Sequence, residues 1–331
     1  MSENRSLLLS SRNLKTYFYT YDGTVRAVDG VDLDIDSGTT YGLVGESGCG
    51  KSVTALSILR LIPSEIGRIV SGRIMFHGRD LLTLNARAMR KVRGNRIAMI
   101  FQEPMTSLNP VFTVGRQISE TLRLHQAMKK RAAWKETEDL LNRVGIPSPK
   151  QRVKDYPHQL SGGMRQRAMI AMAMACHPEL LIADEPTTAL DVTIQAQILN
   201  LIQELKEELG MAVLLITHNF GIIAETAERT AVMYAGQIVE ESDTRTLFHS
   251  PVHPYTKGLL RSLPRMGEKT RDGRKKLHEI SGIVPKLTGN RKGCAFAPRC
   301  VLNDVHCFTT EPELMEVEKG HRVRCLNIGN A

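Results

Sequence analysis

The stretch "TTYGLVGESGCGKSVTALSILRLI", residues 39–62, sets the fold through its three parts. "TTYGLVG" is a short apolar run of the kind that fills a buried strand, and "SVTALSILRLI" reads as a helix. Between them "GESGCGKS", Gly45 to Ser52, fits the pattern G-x-x-x-x-G-K-[ST]. Gly45, Gly48 and Gly50 let the backbone wrap closely round phosphate oxygens, with N–H groups turned inward. Glu46, Ser47 and Cys49 stand at positions the pattern leaves free, where the backbone N–H matters more than the side chain. Cys49 reads as a small filler. The helix that follows adds the partial positive charge of its N-terminus. Lys51 reaches β- and γ-phosphates, and the Ser52 hydroxyl is a ligand for Mg²⁺.

Outward from this loop the chain keeps alternating short apolar runs with helical patterns. "RIAMIF", "ELLIAD", "AVLLIT" and "TAVMYA" are continuous rather than alternating, as parallel strands covered on both faces require. In "DVTIQAQILNLIQELKEELG", Ile194, Ile198, Leu201, Ile202 and Leu205 repeat at helical spacing, and Gly210 supplies the stop. Strands alternating with helices make an α/β fold. Residues 103–158 break the rhythm: they lack a clear strand and read as a helical insertion into a first domain spanning 1–250. Residues 251–331 form a C-terminal extension, in which "PVHPYTKGLLRSLP" leads through a basic stretch, read as a solvated linker, to a cysteine-bearing module.

With 42% hydrophobic and 24% charged residues, the composition is that of a globular protein rather than a disordered chain. The formal charge of +9 favours an anionic partner: nucleic acid, a phosphorylated ligand or a lipid surface. Charge does not choose among them. There is no apolar run long enough to span a bilayer. "MSENRSLLLSSRNLKTYF" has too short an apolar core for a secretory signal, so a reducing compartment is expected for the thiols.

A phosphate cradle does not by itself hydrolyse anything; hydrolysis also needs a metal-orienting carboxylate and a group that positions the attacking water. "LLIADEP" offers both at the end of an apolar strand: Asp184 to hold Mg²⁺ and Glu185 to act as general base. Two adjacent acids at the end of an apolar run are costly to bury without a cation.

At this point the residues resemble a family. "LSGGMRQR", Leu160 to Arg167, is similar to the signature sequence of ATP-binding cassette (ABC) proteins. "FQEP" with Gln102 resembles the family's Q-loop, "TALD" with Asp191 its D-loop, and "THN" with His218 its switch histidine. The motifs stand in the family's order from Gly45 to His218. The resemblance implies a P-loop, RecA-like fold with a mixed sheet and a helical insertion, and an ATPase in which two cassettes enclose two ATP molecules head to tail. Gly45–Ser52, Asp184, Glu185, Gln102 and His218 of one chain would then face Ser161, Gly162, Gly163, Gln166 and Asp191 of the other. Glu185, His218 and Gln102 would be the catalytic set, and Ser52, Gln102 and Asp184 would hold Mg²⁺. Upstream, "LKTYFYTYDG" offers aromatics for the adenine, with Phe18 preferred and Tyr17 next.

No membrane spans are fused to the cassette, only one cassette is present, and the insertion carries no sustained heptads. Within the family this points to a free-standing ATPase subunit of an importer. "PVHPYTKGLLRSLP" and the "GESGCGKS" version of the loop resemble the dipeptide/oligopeptide importer branch. That resemblance implies a peripheral protein on the cytoplasmic face of the membrane. It would work with a second ABC ATPase (a similar chain or a second copy), two integral membrane permeases and, indirectly, an extracytoplasmic substrate-binding protein, with no nucleic acid. The branch also handles nickel and other small solutes. The competing class, raised by the charge, is a non-transport ABC ATPase acting on nucleic acid.

Four of the six cysteines crowd into the tail: Cys294, Cys300, Cys307 and Cys325, spaced C-x5-C-x6-C-x17-C. Read from spacing, they admit unrelated thiols, a zinc site or an iron–sulfur cluster. The resemblance to the peptide importer branch implies a 4Fe-4S cluster, with zinc as runner-up. A metal would also staple a module with too few large apolar residues for a core of its own.

Overall fold

The computed structural model describes residues 6–102, 107–188, 190–263, 280–283, 285, 288–289 and 292–328. Glu103, Pro104 and Ala189 of the motifs, and the basic stretch read as a linker, lie outside these residues. In chain order the elements are β1 (Leu7–Thr20), β2 (Gly23–Asp36), β3 (Thr40–Val44), α1 (Lys51–Ile58), β4 (Gly67–Phe76), β5 (Arg79–Asp80), α2 (Ala86–Val92), β6 (Ile97–Ile100), α3 (Val114–His125), α4 (Lys130–Arg143) and α5 (Pro149–Arg152). There follow α6 (Gly162–Met174), β7 (Leu180–Asp184), α7 (Val192–Leu209), β8 (Ala212–Thr217), α8 (Phe220–Thr226), β9 (Arg229–Tyr234), β10 (Gln237–Asp243), α9 (Thr244–His249), α10 (Pro254–Arg261), α11 (Val305–Thr309), β11 (Met315–Glu318) and β12 (His321–Val323). They divide into two units. One comprises Ser10–Asp34, Tyr41–Ile74 and Thr217–Ala331, the other Met1–Leu9, Ile35–Thr40 and Met75–Ile216.

The first unit carries the phosphate loop. Its strand β3 is buried throughout and pairs in parallel with β9, Tyr41 against Arg229 through Val44 against Val232. The β9 strand then pairs antiparallel with β10. The apolar run of β9 therefore has one parallel and one antiparallel neighbour, and the sheet is mixed. Residues 10–20 of β1, 23–34 of β2 and 67–74 of β4 add part of a second sheet, in the order β2-β1-β4, to the same unit. "VDLDID" in β2 alternates, so Val31 and Leu33 share one fully buried face.

The same unit shows how the extension is anchored. Strand β12 pairs with β10, Glu240 opposite Val323 and Glu241 opposite Arg322, and β11 pairs with β12. Glu240 and Glu241 are both fully buried. Buried carboxylates persist only when paired and hydrogen-bonded. Glu241 meets Arg229 at 2.7 Å and also pairs with Arg322. Glu240 accepts from the N–H groups of Val252 at 2.7 Å and His253 at 3.0 Å, and lies 2.8 Å from the His321 ring. These polar anchors act beside a buried aromatic cluster, in which Tyr255 and Phe296 of the extension pack on Tyr234 of β9.

In the second unit β6, β7 and β8 are parallel neighbours, Ile97 opposite Leu180 and Leu180 opposite Ala212. All three are continuous apolar runs, buried almost throughout. Helices α3 and α4 bury Val114, Ile118 and Leu122, and Ala133, Thr137, Leu140 and Leu141, each at three- to four-residue spacing. Thr113 caps α3, its hydroxyl accepting the Arg116 N–H at 3.3 Å. Asp191 caps α7, and Gly210 ends it with φ 63°, the left-handed C-cap that the sequence predicts.

Candidate nucleotide site

The phosphate loop follows β3 without a break. A Cβ at Gly45 would come within 2.2 Å of the Met233 carbonyl oxygen, and one at Gly50 within 2.2 Å of that of Ala27, so neither position admits another residue. Lys51 is buried, and its Nζ donates to the carbonyls of Gly45 at 2.8 Å and Glu46 at 3.1 Å. A phosphate would replace these carbonyls as its acceptor. Cys49 is buried, and its carbonyl accepts the Gly236 N–H at 2.9 Å. Burial pushes its thiol up, which keeps it neutral as a filler. Ser47 and Gly48 are exposed and Ser52 is half-buried.

Glu46 has partners that no sequence rule foretold. Its N–H donates to the Tyr255 hydroxyl at 3.1 Å, and its carboxylate accepts from Arg299 at 2.7 and 3.1 Å. Phe18, Tyr19, Thr20, Tyr21, Val25 and Ile66 line an apolar cavity of about 700 Å³. Phe18 packs against Gly67, where a Cβ would lie 2.8 Å from the ring. Tyr17, the second choice for the adenine, donates its hydroxyl to Asp29 at 2.8 Å and is committed to the fold. His218 is exposed immediately after β8, and the next residue, Asn219, caps α8 by accepting the Gly221 N–H.

In the second unit Asp184 closes β7 and is 3% exposed. Glu185 follows with φ 46°, a left-handed conformation that costs a non-glycine residue about 1 kcal/mol or more. Its N–H donates to Ile216 O at 2.9 Å, which holds the backbone at the end of β7. Its Oε2 then accepts from Gln102 Nε2 at 2.9 Å and from the Thr188 hydroxyl at 2.9 Å. Gln102 and Glu185, separate in sequence, are thus brought together. Thr188 was not singled out from sequence; its place in "TALD", three residues past the acid, was the available signal.

Ser161 and Gly162 are exposed at the start of α6, and Ser161 caps it by accepting the Met164 N–H at 3.3 Å. Gly163 is half-buried, and a Cβ there would lie 3.2 Å from Ile194. This leaves a helix N-terminus with little side-chain cover, suited to an anion. Gln166, expected with them at a partner's nucleotide, is 1% exposed, and its amide donates to the Pro186 carbonyl at 2.5 Å. It ties the signature helix to the turn after Glu185. Asp191 is exposed, but its carboxylate is engaged by the Ile194 N–H at 2.9 Å.

The four C-terminal cysteines are free thiols that share one neighbourhood. The Cys294 N–H donates to Cys307 O at 2.8 Å. Sulfur atoms accept from N–H groups: Cys300 from Leu302 at 3.4 Å, Cys325 from Asn327 at 3.4 Å, and Cys307 from the Asn327 amide at 3.7 Å. Burial pushes the Cys294, Cys300 and Cys325 thiols up, as does the nearness of Cys307 and, for Cys294 and Cys300, of Cys325. Yet among the described residues no group of three or more His, Cys, Asp or Glu side chains is disposed to hold a metal ion. The expected metal-binding module is therefore not shown by geometry. Among the described residues, no helix is long and apolar enough to cross a membrane.

A family model described as ABC transporter matches residues 28–188, and one described as oligopeptide/dipeptide transporter, C-terminal region, matches residues 239–307. The chain is 54% identical to a probable peptide ABC transporter ATP-binding protein of Sinorhizobium fredii, over 96% of this chain and 94% of that protein. It is 50% identical to the oligopeptide transport ATP-binding protein AppD of Bacillus subtilis, over 97% and 96% of the two chains. The dipeptide transport ATP-binding protein DppD of the same organism is also 50% identical, over 96% and 94%. Among solved structures, the dimeric ATP-binding cassette MJ0796, in a post-hydrolysis state bound to ADP and phosphate, superposes with a TM-score of 0.65 at 26% identity, over 72% of this chain and 99% of that one.

Proposed function

The chain belongs to the ATP-binding proteins of ABC transporters, and on that premise we propose that it is the ATP-hydrolysing subunit of a peptide importer. The observation that carries the reading is its identity, over nearly its whole length and through the C-terminal region, to proteins named for oligopeptide and dipeptide transport. The peptide would pass through separate membrane permeases, supplied by an extracytoplasmic binding protein, while this chain remains on the cytoplasmic face. Helices α3 and α4 are its docking surface for the permeases. A second cassette, a similar chain or another copy, completes the pair.

The roles follow from the chemistry of the side chains. N–H groups of residues 45–50 receive the phosphates, Lys51 exchanges its carbonyl partners for phosphate oxygens, and Phe18 stacks on the adenine. Ser52, Gln102 and Asp184 would hold Mg²⁺, which neutralises charge developing on the phosphates. Glu185 takes the proton of the attacking water, with Thr188 and Gln102 fixing its carboxylate. His218 contacts the γ-phosphate. Ser161, Gly162 and Gly163 present an N-terminus to the ATP held by the partner cassette, and Asp191 lies beside it. As a finer reading, Cys294, Cys300, Cys307 and Cys325 would hold a 4Fe-4S cluster; the reading rests on the resemblance to the peptide importer branch, since their common neighbourhood does not place three of them to hold a metal ion.

Glu185→Gln tests the enzymatic core. The variant should bind ATP as the wild type does, while turnover falls by about 100-fold or more. Turnover within a factor of ten of wild type would remove Glu185 as base. A wild-type chain that binds no ATP would overturn the reading as a whole.

A further inference from the structure

An acidic side chain in a loop built for a polyphosphate is an electrostatic liability, and the structure shows how Glu46 is neutralised. Arg299 grips its carboxylate through both terminal nitrogens, at 2.7 and 3.1 Å. The Arg299 side chain is only 4% exposed. Its Nε donates to Ser281 O and its Nη2 to Ile280 O, each at 3.1 Å. The guanidinium lies 5.8 Å from the centre of the Tyr234 ring and 6.0 Å from that of Phe296. Tyr255 adds a second grip, its hydroxyl accepting the Glu46 N–H at 3.1 Å while its ring packs on Tyr234 and Phe296 at 4.6 and 5.3 Å. Phe296 and Arg299 both lie between Cys294 and Cys300.

We propose that Arg299 and Tyr255 are positioning residues for ATP binding, through which the C-terminal extension holds the phosphate loop ready. The inference rests on the reading of residues 45–52 as the ATP phosphate cradle. Two effects act together. Arg299 cancels a negative charge that would otherwise repel the triphosphate at close range. The paired grips on Glu46 also order a glycine-rich loop in advance, which lowers the entropy lost when ATP binds. A fixed bidentate fork does both, whereas lysine keeps the charge and loses the geometry.

The test measures ATP affinity and steady-state kinetics on the full chain. Arg299→Ala should raise the ATP Kd about tenfold, with the loss falling on KM more than on kcat. Adding Glu46→Gln to Arg299→Ala should recover the electrostatic part of that loss, because the unpaired carboxylate is gone; a merely structural arginine would show no such recovery. Arg299→Lys and Tyr255→Phe should each raise Kd about two- to fivefold, and they carry the test if Arg299→Ala fails to fold. Wild-type Kd values in the folded Arg299 and Tyr255 variants, or no recovery on adding Glu46→Gln, would overturn the proposal. If the wild type binds no ATP, or Lys51→Ala binds it equally well, the cradle reading fails instead.

Discussion

His253 offers a direct measure of how the extension is held. It caps α10, its Nδ1 accepting the Tyr255 N–H at 3.0 Å. This requires a neutral ring, and burial pushes its pKa from 6.5 down to about 4, only partly opposed by the carboxylate of Glu240. In the unfolded segment the ring takes up a proton below about pH 6.5, whereas in the folded one it does not until about pH 4. Opening the segment therefore binds a proton in that window, and stability falls as pH falls. At about 1.4 kcal/mol per pH unit, the loss reaches roughly 2 kcal/mol at pH 5 and about 3 kcal/mol near pH 4. Amide hydrogen exchange at Tyr255 and Lys257, corrected for intrinsic rates, reads this as the free energy of opening. His253→Asn keeps an acceptor for the Tyr255 N–H but removes the titration. Its opening free energy should stay flat from pH 6.5 to 5 relative to the wild type. The same pH dependence in both proteins would refute the assignment of the effect to His253.

Two further outcomes test the packing of the loop and the reading of the cysteines. Gly50→Ala places a Cβ 2.2 Å from the Ala27 carbonyl oxygen at φ 110°, so the loop must shift. It should cost about 3 kcal/mol or more of stability and most of the ATP affinity, and a wild-type melting temperature with intact binding would contradict the packing described. Protein prepared without oxygen should be brown and carry roughly four irons per chain, released when Cys325 is replaced by Ser. Stoichiometric zinc without colour would assign the four thiols to zinc, and protein free of both metals would remove the site.

What the sequence showed plainly was local. The loop 45–52, the apolar runs of β3, β7 and β8, and the stop at Gly210 follow from short-range rules, and the structure has them where those rules put them. The alternation in "VDLDID" belongs to β2 and lies outside the continuous runs that signalled the core, so the reading of those runs passed it over. Gln102 and Glu185 come together across 83 positions; only the family resemblance linked them, since no spacing rule reaches that far. Gln166 shows the limit of carrying a motif over residue by residue. Its place in "LSGGMRQR" suggests a surface contact, whereas its helical phase turns it inward to Pro186. The Arg299–Glu46 pair, 253 positions apart, had no signal beyond opposite charge.

The extension is fixed by two sets of contacts that differ in kind. Glu240 and Glu241 bind β12 and the start of α10 to the sheet, and both are fully buried. Removing either partner there leaves a buried charge, so these contacts decide whether the extension is folded at all. The Arg299 contact is different. Its partner Glu46 is half-buried, so water can take over part of the lost pairing. Breaking it should loosen the phosphate loop more than it unfolds the chain. Cys325 stands two residues past the last residue of β12, and Cys300 one residue past Arg299. Cys325 thus adjoins the strand that the buried carboxylates anchor, and Cys300 adjoins the arginine that holds Glu46, so the four cysteines share a neighbourhood but border two contacts of different kinds.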